Sequence, residues 1–132
     1  MVRLELADAL PAVHTDPLVL RRTLENLVGN ALDALEGRPG TVTVSTARVA
    51  ADGRPGIRIT VADTGKGMTK QQLDKAFEGF YTTKPGGTGL GLSIVRRLVL
   101  DAGGSLRVET EPGTGTRVYV ELPCEAPYGR RA

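Results

Sequence analysis

The chain has 132 residues, 40% hydrophobic and 24% charged, which suits one globular domain and leaves no room for two. Its one cysteine, Cys124, excludes an internal disulfide and a four-cysteine zinc site, and no apolar run approaches the roughly 18 residues of a membrane span. A net charge of +2 and an aromatic content of 4% argue against a nucleic-acid surface, so the composition predicts a soluble, cytoplasmic domain.

Val2 to Leu6 alternates apolar and charged residues in the manner of a strand. Asp16-Pro17 then starts a helix, an N-cap acceptor followed by proline at the first helical position. Leu20, Leu24, Leu27, Val28, Ala31 and Leu35 recur at three- and four-residue steps and form its apolar stripe, which stops near Gly37. Asn26 and Asn30 are the chain's only asparagines, one helical turn apart, and Thr23 and Asp33 extend their face at three-residue steps. Such a stripe suits a solvated face. It equally suits amide oxygens aimed at Mg²⁺, which takes hard oxygen ligands and keeps several waters beside substrate phosphates.

Thr41 to Val49 is β-branched and alternating, and Asp52-Gly53 turns the chain into a hairpin partner over Ile57 to Val61. Asp63-Thr64-Gly65-Lys66-Gly67-Met68 follows at once. It reads as an ordinary turn, or as a strand-end carboxylate placed to accept from an exocyclic amine, with glycines that admit a flat ligand. Residues 63 to 88 form a long irregular segment with a short helix around Thr69 to Ala76. All four lysines (Lys66, Lys70, Lys75, Lys84) and both phenylalanines (Phe77, Phe80) fall there. Gly86-Gly87-Thr88-Gly89-Leu90-Gly91-Leu92-Ser93 opens the next helix, and backbone amides at a glycine-rich helix start favour phosphate. The run matches neither a Rossmann fingerprint nor a Walker A loop.

Helical spacing runs from Leu90 to Ala102 and closes at Gly103-Gly104. Ser105 to Thr110 and Arg117 to Leu122 are two further strands joined by a turn at Gly113–Gly115. The order predicts an α/β two-layer sandwich: a mixed sheet with helices on one face. His14, the one histidine, belongs to no catalytic or metal-ligand constellation.

These motifs, in this order, resemble the catalytic, ATP-binding domain of two-component sensor histidine kinases. That domain shares a superfamily with type II topoisomerases, MutL-type proteins and the ninety-kilodalton heat-shock chaperones. Thr23 to Ala34 is similar to the family's N box and Asp63 to Met68 to its first glycine box. Phe77 to Lys84 is similar to its F box and Gly86 to Val95 to its second glycine box. The compact segment between the last two looks most like the nitrogen-regulation type.

The resemblance implies the Bergerat-type sandwich, mostly antiparallel, with a flexible ATP lid, over residues 1–125, and a tail at 126–132. It implies ATP and Mg²⁺ as cofactors. Asn30 would ligate Mg²⁺ with Asn26 beside it, and Asp33 would lie on the same nucleotide-facing side. Asp63 would hold the adenine amino group, with Gly65 and Gly67 admitting the base. Lys84 would reach the phosphates, with Thr88, Gly89, Leu90, Gly91 and Leu92 as backbone donors. Asn26, Asn30 and Lys84 would be the catalytic set. Asn26 stands where water-using relatives carry a glutamate, and an amide takes no proton from water at neutral pH, which favours phosphoryl transfer over hydrolysis. The acceptor histidine would lie on a separate dimerisation domain, with a response regulator as indirect partner. No contact with nucleic acid or membrane is implied, and the isolated domain would be monomeric. A module that only binds nucleotide and a serine kinase of the anti-sigma type remain alternatives on the same boxes.

Overall fold

A computed structural model describes residues 1–7, 16–51, 54–78 and 92–124. Eight elements follow in chain order: β1 (Val2–Glu5), α1 (Pro17–Ala34), β2 (Val42–Ala51), β3 (Arg54–Asp63), α2 (Lys70–Ala76), α3 (Leu92–Asp101), β4 (Ser105–Glu111) and β5 (Gly115–Pro123). The strands form one five-stranded sheet in the order β1-β2-β3-β5-β4. Only β1 and β2 run parallel; every other pairing is antiparallel. This is the expected sandwich, a mixed, mostly antiparallel sheet with helices on one face. The last strand in sequence is inserted between β3 and β4, so residue 63 lies opposite residue 116.

α1 starts as its caps dictate. The Asp16 carboxylate accepts from the Leu18 N–H at 2.8 Å, and Pro17 occupies a position whose N–H would have no partner. Leu27 and Ala31 are buried from α1, Leu35 from its C-cap, and Leu92, Val95 and Val99 from α3. They meet Val42, Ile57, Ile59, Val61, Val118, Val120 and Leu122 on one face of the sheet. α1 packs mainly on β2, β3, β5 and α3, and α3 on β4. The hairpin strands run longer than alternation alone predicts. Main-chain pairing is indifferent to side-chain type and continues to Ala51↔Arg54. α3 closes where expected, with Gly103 at φ +83° and the Gly104 N–H on the Val99 carbonyl at 2.9 Å.

One expectation needs correction. Thr23 does not extend the polar face of α1. It is 3% exposed, in line with Leu27 and Ala31 at four-residue steps, and its hydroxyl donates to the Val19 carbonyl at 2.9 Å. That bond satisfies the hydroxyl within the helix, which is what lets a threonine enter the core. The strand expected at the start of the chain is present, ending at Glu5, with Val2 and Leu4 both exposed.

α2 is held at its start by a capping box. The Thr69 hydroxyl accepts from the Gln72 N–H at 3.1 Å, and the Gln72 side chain accepts from the Thr69 N–H at 2.9 Å. Thr69→Ala is expected to lower stability by about 1 kcal/mol. Urea unfolding should show a lower midpoint at unchanged slope. Gly29 sits inside α1 with open space where a Cβ would lie. Gly29→Ala should therefore raise stability by about 0.5–1 kcal/mol, measured the same way.

Candidate functional site

Asn26 and Asn30 lie half-buried on α1, one turn apart. Glu25, the neighbouring carboxylate, turns outward and is engaged by Arg21 at 3.1 Å, with both side chains well exposed. The helix ends in two left-handed residues, Glu36 at φ +54° and Gly37 at φ +74°.

Asp63 is the last residue of β3. Its carboxylate accepts from the Gly65 N–H at 2.8 Å, and the Thr116 N–H also bonds to it. Burial pushes the carboxyl above its ordinary value of 3.8, and these two donors partly offset the shift. A half-desolvated carboxylate with capacity to accept more hydrogen bonds is suited to a ligand that brings donors.

The loop after Asp63 is fastened on three sides. At its start, the Thr64 N–H donates to the Thr41 carbonyl at 3.1 Å, while the Thr41 N–H donates to the Thr64 hydroxyl at 3.0 Å. Toward α1, the Lys66 N–H donates to the Ala34 carbonyl at 3.0 Å, and the Lys66 ammonium lies 3.4 Å from Glu36. Toward the β4–β5 turn, the Gly113 N–H donates to the Lys66 carbonyl at 2.7 Å, and the Met68 N–H donates to the Thr110 hydroxyl at 2.9 Å. The Thr110 and Thr116 hydroxyls are 2.8 Å apart. Asn30 is one turn upstream of Ala34, so this clamp brings the asparagine face and the Asp63 loop, distant in sequence, to the same end of α1.

The two glycines of the loop meet protein as well as any ligand. A Cβ on Gly65 would strike the Ala34 carbonyl. Gly67 has φ +66°, and a Cβ there would strike the Glu111 carbonyl. Neither backbone approach is visible in the spacing of the motif.

Leu92 is the first residue of α3. Its side chain is buried in the core, and its backbone N–H belongs to the first helical turn, whose donors have no partner within the helix. Lys84, Thr88, Gly89, Leu90 and Gly91 lie outside the described residues, as do Phe80, His14 and residues 79–88 of the segment expected to form the lid. Phe77 ends α2 and packs against the core, with the Arg96 guanidinium 4.6 Å from its ring centroid. Thr116 is the residue that sequence reasoning missed. It reads as part of a turn, and only the insertion of β5 beside β3 sets it against Asp63. Among the described residues no cluster of three His, Cys, Asp or Glu side chains could cage a metal ion. No helix among them is long and apolar enough to cross a membrane.

Comparison with known proteins bears on the family and the fold. The family described as "Histidine kinase-, DNA gyrase B-, and HSP90-like ATPase" matches residues 15–126. Sensor histidine kinase ZraS of Klebsiella oxytoca is 43% identical over 115 residues, covering 87% of this chain and 24% of the relative. Sporulation kinase E of Bacillus subtilis is 33% identical over 122 residues, covering 92% of this chain and 16% of the relative. The chain thus spans about a quarter or less of the length of these curated relatives. Among solved structures, full-length ShkA in complex with AMPPNP superposes with a TM-score of 0.75 at 35% identity, covering 95% of this chain and 26% of that one. The nucleotide-free catalytic domain of histidine kinase ThkA gives 0.75 at 29% identity, covering 93% and 78%.

Proposed function

The chain belongs to the histidine kinase-, DNA gyrase B- and HSP90-like ATPase family, and from that premise we propose that it is the ATP-binding catalytic domain of a sensor histidine kinase. It takes Mg-ATP and passes the γ-phosphoryl group to a histidine on a separate dimerisation domain, for two-component signalling through a response regulator. The observation that carries the reading is the clamp of Lys66 and Gly65 on Ala34, which joins the asparagine face of α1 to the loop after Asp63.

In this reading Asp63 accepts from the adenine amino group, with Thr116 completing that end of the site. Lys84 and the backbone donors of Thr88, Gly89, Leu90, Gly91 and Leu92 meet the phosphates, the last at a helix start where donors point outward. Asn30 offers a neutral amide oxygen to Mg²⁺, with Asn26 and Asp33 on neighbouring positions. One or two protein oxygens suit this ion, which takes its remaining ligands from phosphate and water. When bound, Mg²⁺ neutralises phosphate charge, and the rest of the catalysis is positioning. Asn26 takes no proton from water, and Glu25, the nearest carboxylate in sequence, is turned away toward Arg21. Both features favour transfer to a side chain over hydrolysis.

Incubation with γ-labelled ATP and the dimerisation domain of the parent kinase should leave acid-labile label on that domain. Acid-stable label, or release of inorganic phosphate alone, would overturn the reading. Asn30→Ala should cut the magnesium enhancement of ATP affinity by about tenfold and spare adenosine binding, by calorimetric titration with and without the ion. Equal enhancement in variant and wild type would remove Asn30 as the ligand.

A further inference from the structure

The sheet ends on β1, which pairs with β2 on one side and with no described strand on the other. Val2 and Leu4 stand beside Val42 and Val44 in register, on the face that the helices cover further along. Here no helix among the described residues covers them. Val2 is 49% exposed, Leu4 66%, and Leu6, just past the strand, 59%. Arg3 and Glu5 occupy the opposite face, 3.2 Å from each other and both exposed. The backbone is also open. The Val42 N–H bonds to the Met1 carbonyl, so odd-numbered residues turn their peptide groups toward β2. Val2, Leu4 and Leu6 therefore turn theirs outward. An exposed apolar edge without proline, lysine or a bulge is a template for another strand.

We infer that β1 is an association edge for a second copy of this chain, paired antiparallel about Leu4. In that register Leu4 of one copy faces Leu4 of the other and Val2 faces Leu6, so the apolar residues share one face. Arg3 faces Glu5 twice on the other face, which makes each cross-strand charge pair attractive. The segment is thus self-complementary in the sense that a two-fold interface requires. Neighbouring registers lack this property. Centring on Arg3 or Glu5 sets like charges opposite each other, and a shift by half a step sets Val2 against Glu5. The outward peptide groups of Val2, Leu4 and Leu6 are also the ones that the Leu4-centred register uses for its hydrogen bonds. A contact of so few residues falls well below the roughly 1,000 Å² of a stable interface, so the pairing is weak and reversible.

Sedimentation equilibrium of the full chain without nucleotide, from about 10 μM to about 1 mM, tests it. The average mass should climb from monomer toward dimer across that range. Leu4→Lys, at an exposed position, should keep the mass monomeric throughout, with an unchanged circular dichroism spectrum. Arg3→Glu should do the same, because it sets Glu against Glu. The double variant Arg3→Glu with Glu5→Arg restores the complementary pattern and should recover the wild-type dimer. A wild-type chain that stays monomeric to the top of the range would overturn the inference. So would a dimer indifferent to Leu4→Lys, or a double charge swap that fails to recover association.

Discussion

Asp63→Asn is expected to weaken adenine nucleotides by about tenfold or more, while the folded domain loses no stability. The two effects have one origin. Burial holds the Asp63 carboxyl above its ordinary value of 3.8, so ionised Asp63 is a burden on the free domain. An asparagine amide oxygen keeps the Gly65 donor without carrying charge. Its NH₂ group, however, presents a donor where the adenine amino group also brings one. Losing a hydrogen bond to a charged acceptor is worth about 1.5–3 kcal/mol, hence tenfold or more in affinity. Calorimetric titration with ATP reads the loss, and unchanged affinity in a folded variant would remove Asp63 from the site. The pH dependence has a defined sign. Because the folded-state value lies above the unfolded one, the group's contribution to stability is complete below 3.8 and is lost as pH rises through the folded value. The stability of the variant relative to wild type should therefore improve as pH rises across that window. ATP affinity of the wild type should fall as pH drops through the same window, because protonation occupies an acceptor site.

Gly67→Ala should be among the most destabilising single-methyl changes available, at roughly 2–4 kcal/mol. The position has φ +66°, and the new Cβ would overlap the Glu111 carbonyl and approach the Pro112 Cα at 3.1 Å. All of these are backbone atoms, which cannot rotate away. The change drives the loop after Asp63 off the β4–β5 turn, where the Gly113 N–H meets the Lys66 carbonyl. Nucleotide affinity should fall with stability, because the displaced loop also carries the Asp63 partner Gly65. Gly29→Ala is the internal control, the same substitution where no strain and no collision await it. If Gly67→Ala unfolded at the wild-type urea midpoint, the packing described for the loop would be wrong.

The difference between those two glycines shows what a linear chain discloses. α1 is legible because its signals are local: Asp16-Pro17 at the start, apolar residues at three- and four-residue steps, glycine beyond the end. The strands of the two hairpins are legible for the same reason, through alternation and turn residues. Thr23 is misleading because polarity suggests exposure, whereas a hydroxyl bonded to the carbonyl four residues back is free to be buried. β1 is legible as a strand but not in its surroundings. Alternation identifies a strand with one apolar side, but whether a helix lies over that side depends on where α1 crosses the sheet. Thr116 beside Asp63 and Glu111 against Gly67 depend on strand order, and no spacing within a motif reports strand order. The residues of the candidate site on α1 and after β3 were therefore readable one at a time, while the contacts that join them were not.

The placement of β5 bears on how the domain is made. Synthesis delivers β3 and its carboxylate long before the strand that completes their surroundings. Until residues 113 to 116 leave the ribosome, Asp63 lacks its Thr116 donor, Lys66 lacks Gly113, and the Asp63 edge of β3 is bare. Pairings between residues so distant in sequence are slow to form, because chain closure must precede any reward from contact. A nascent chain that ends before β5 has the motifs in full but lacks the contacts that join the loop after Asp63 to the β4–β5 turn and to β5. The surroundings of Asp63 are completed only as β5 slides between β3 and β4.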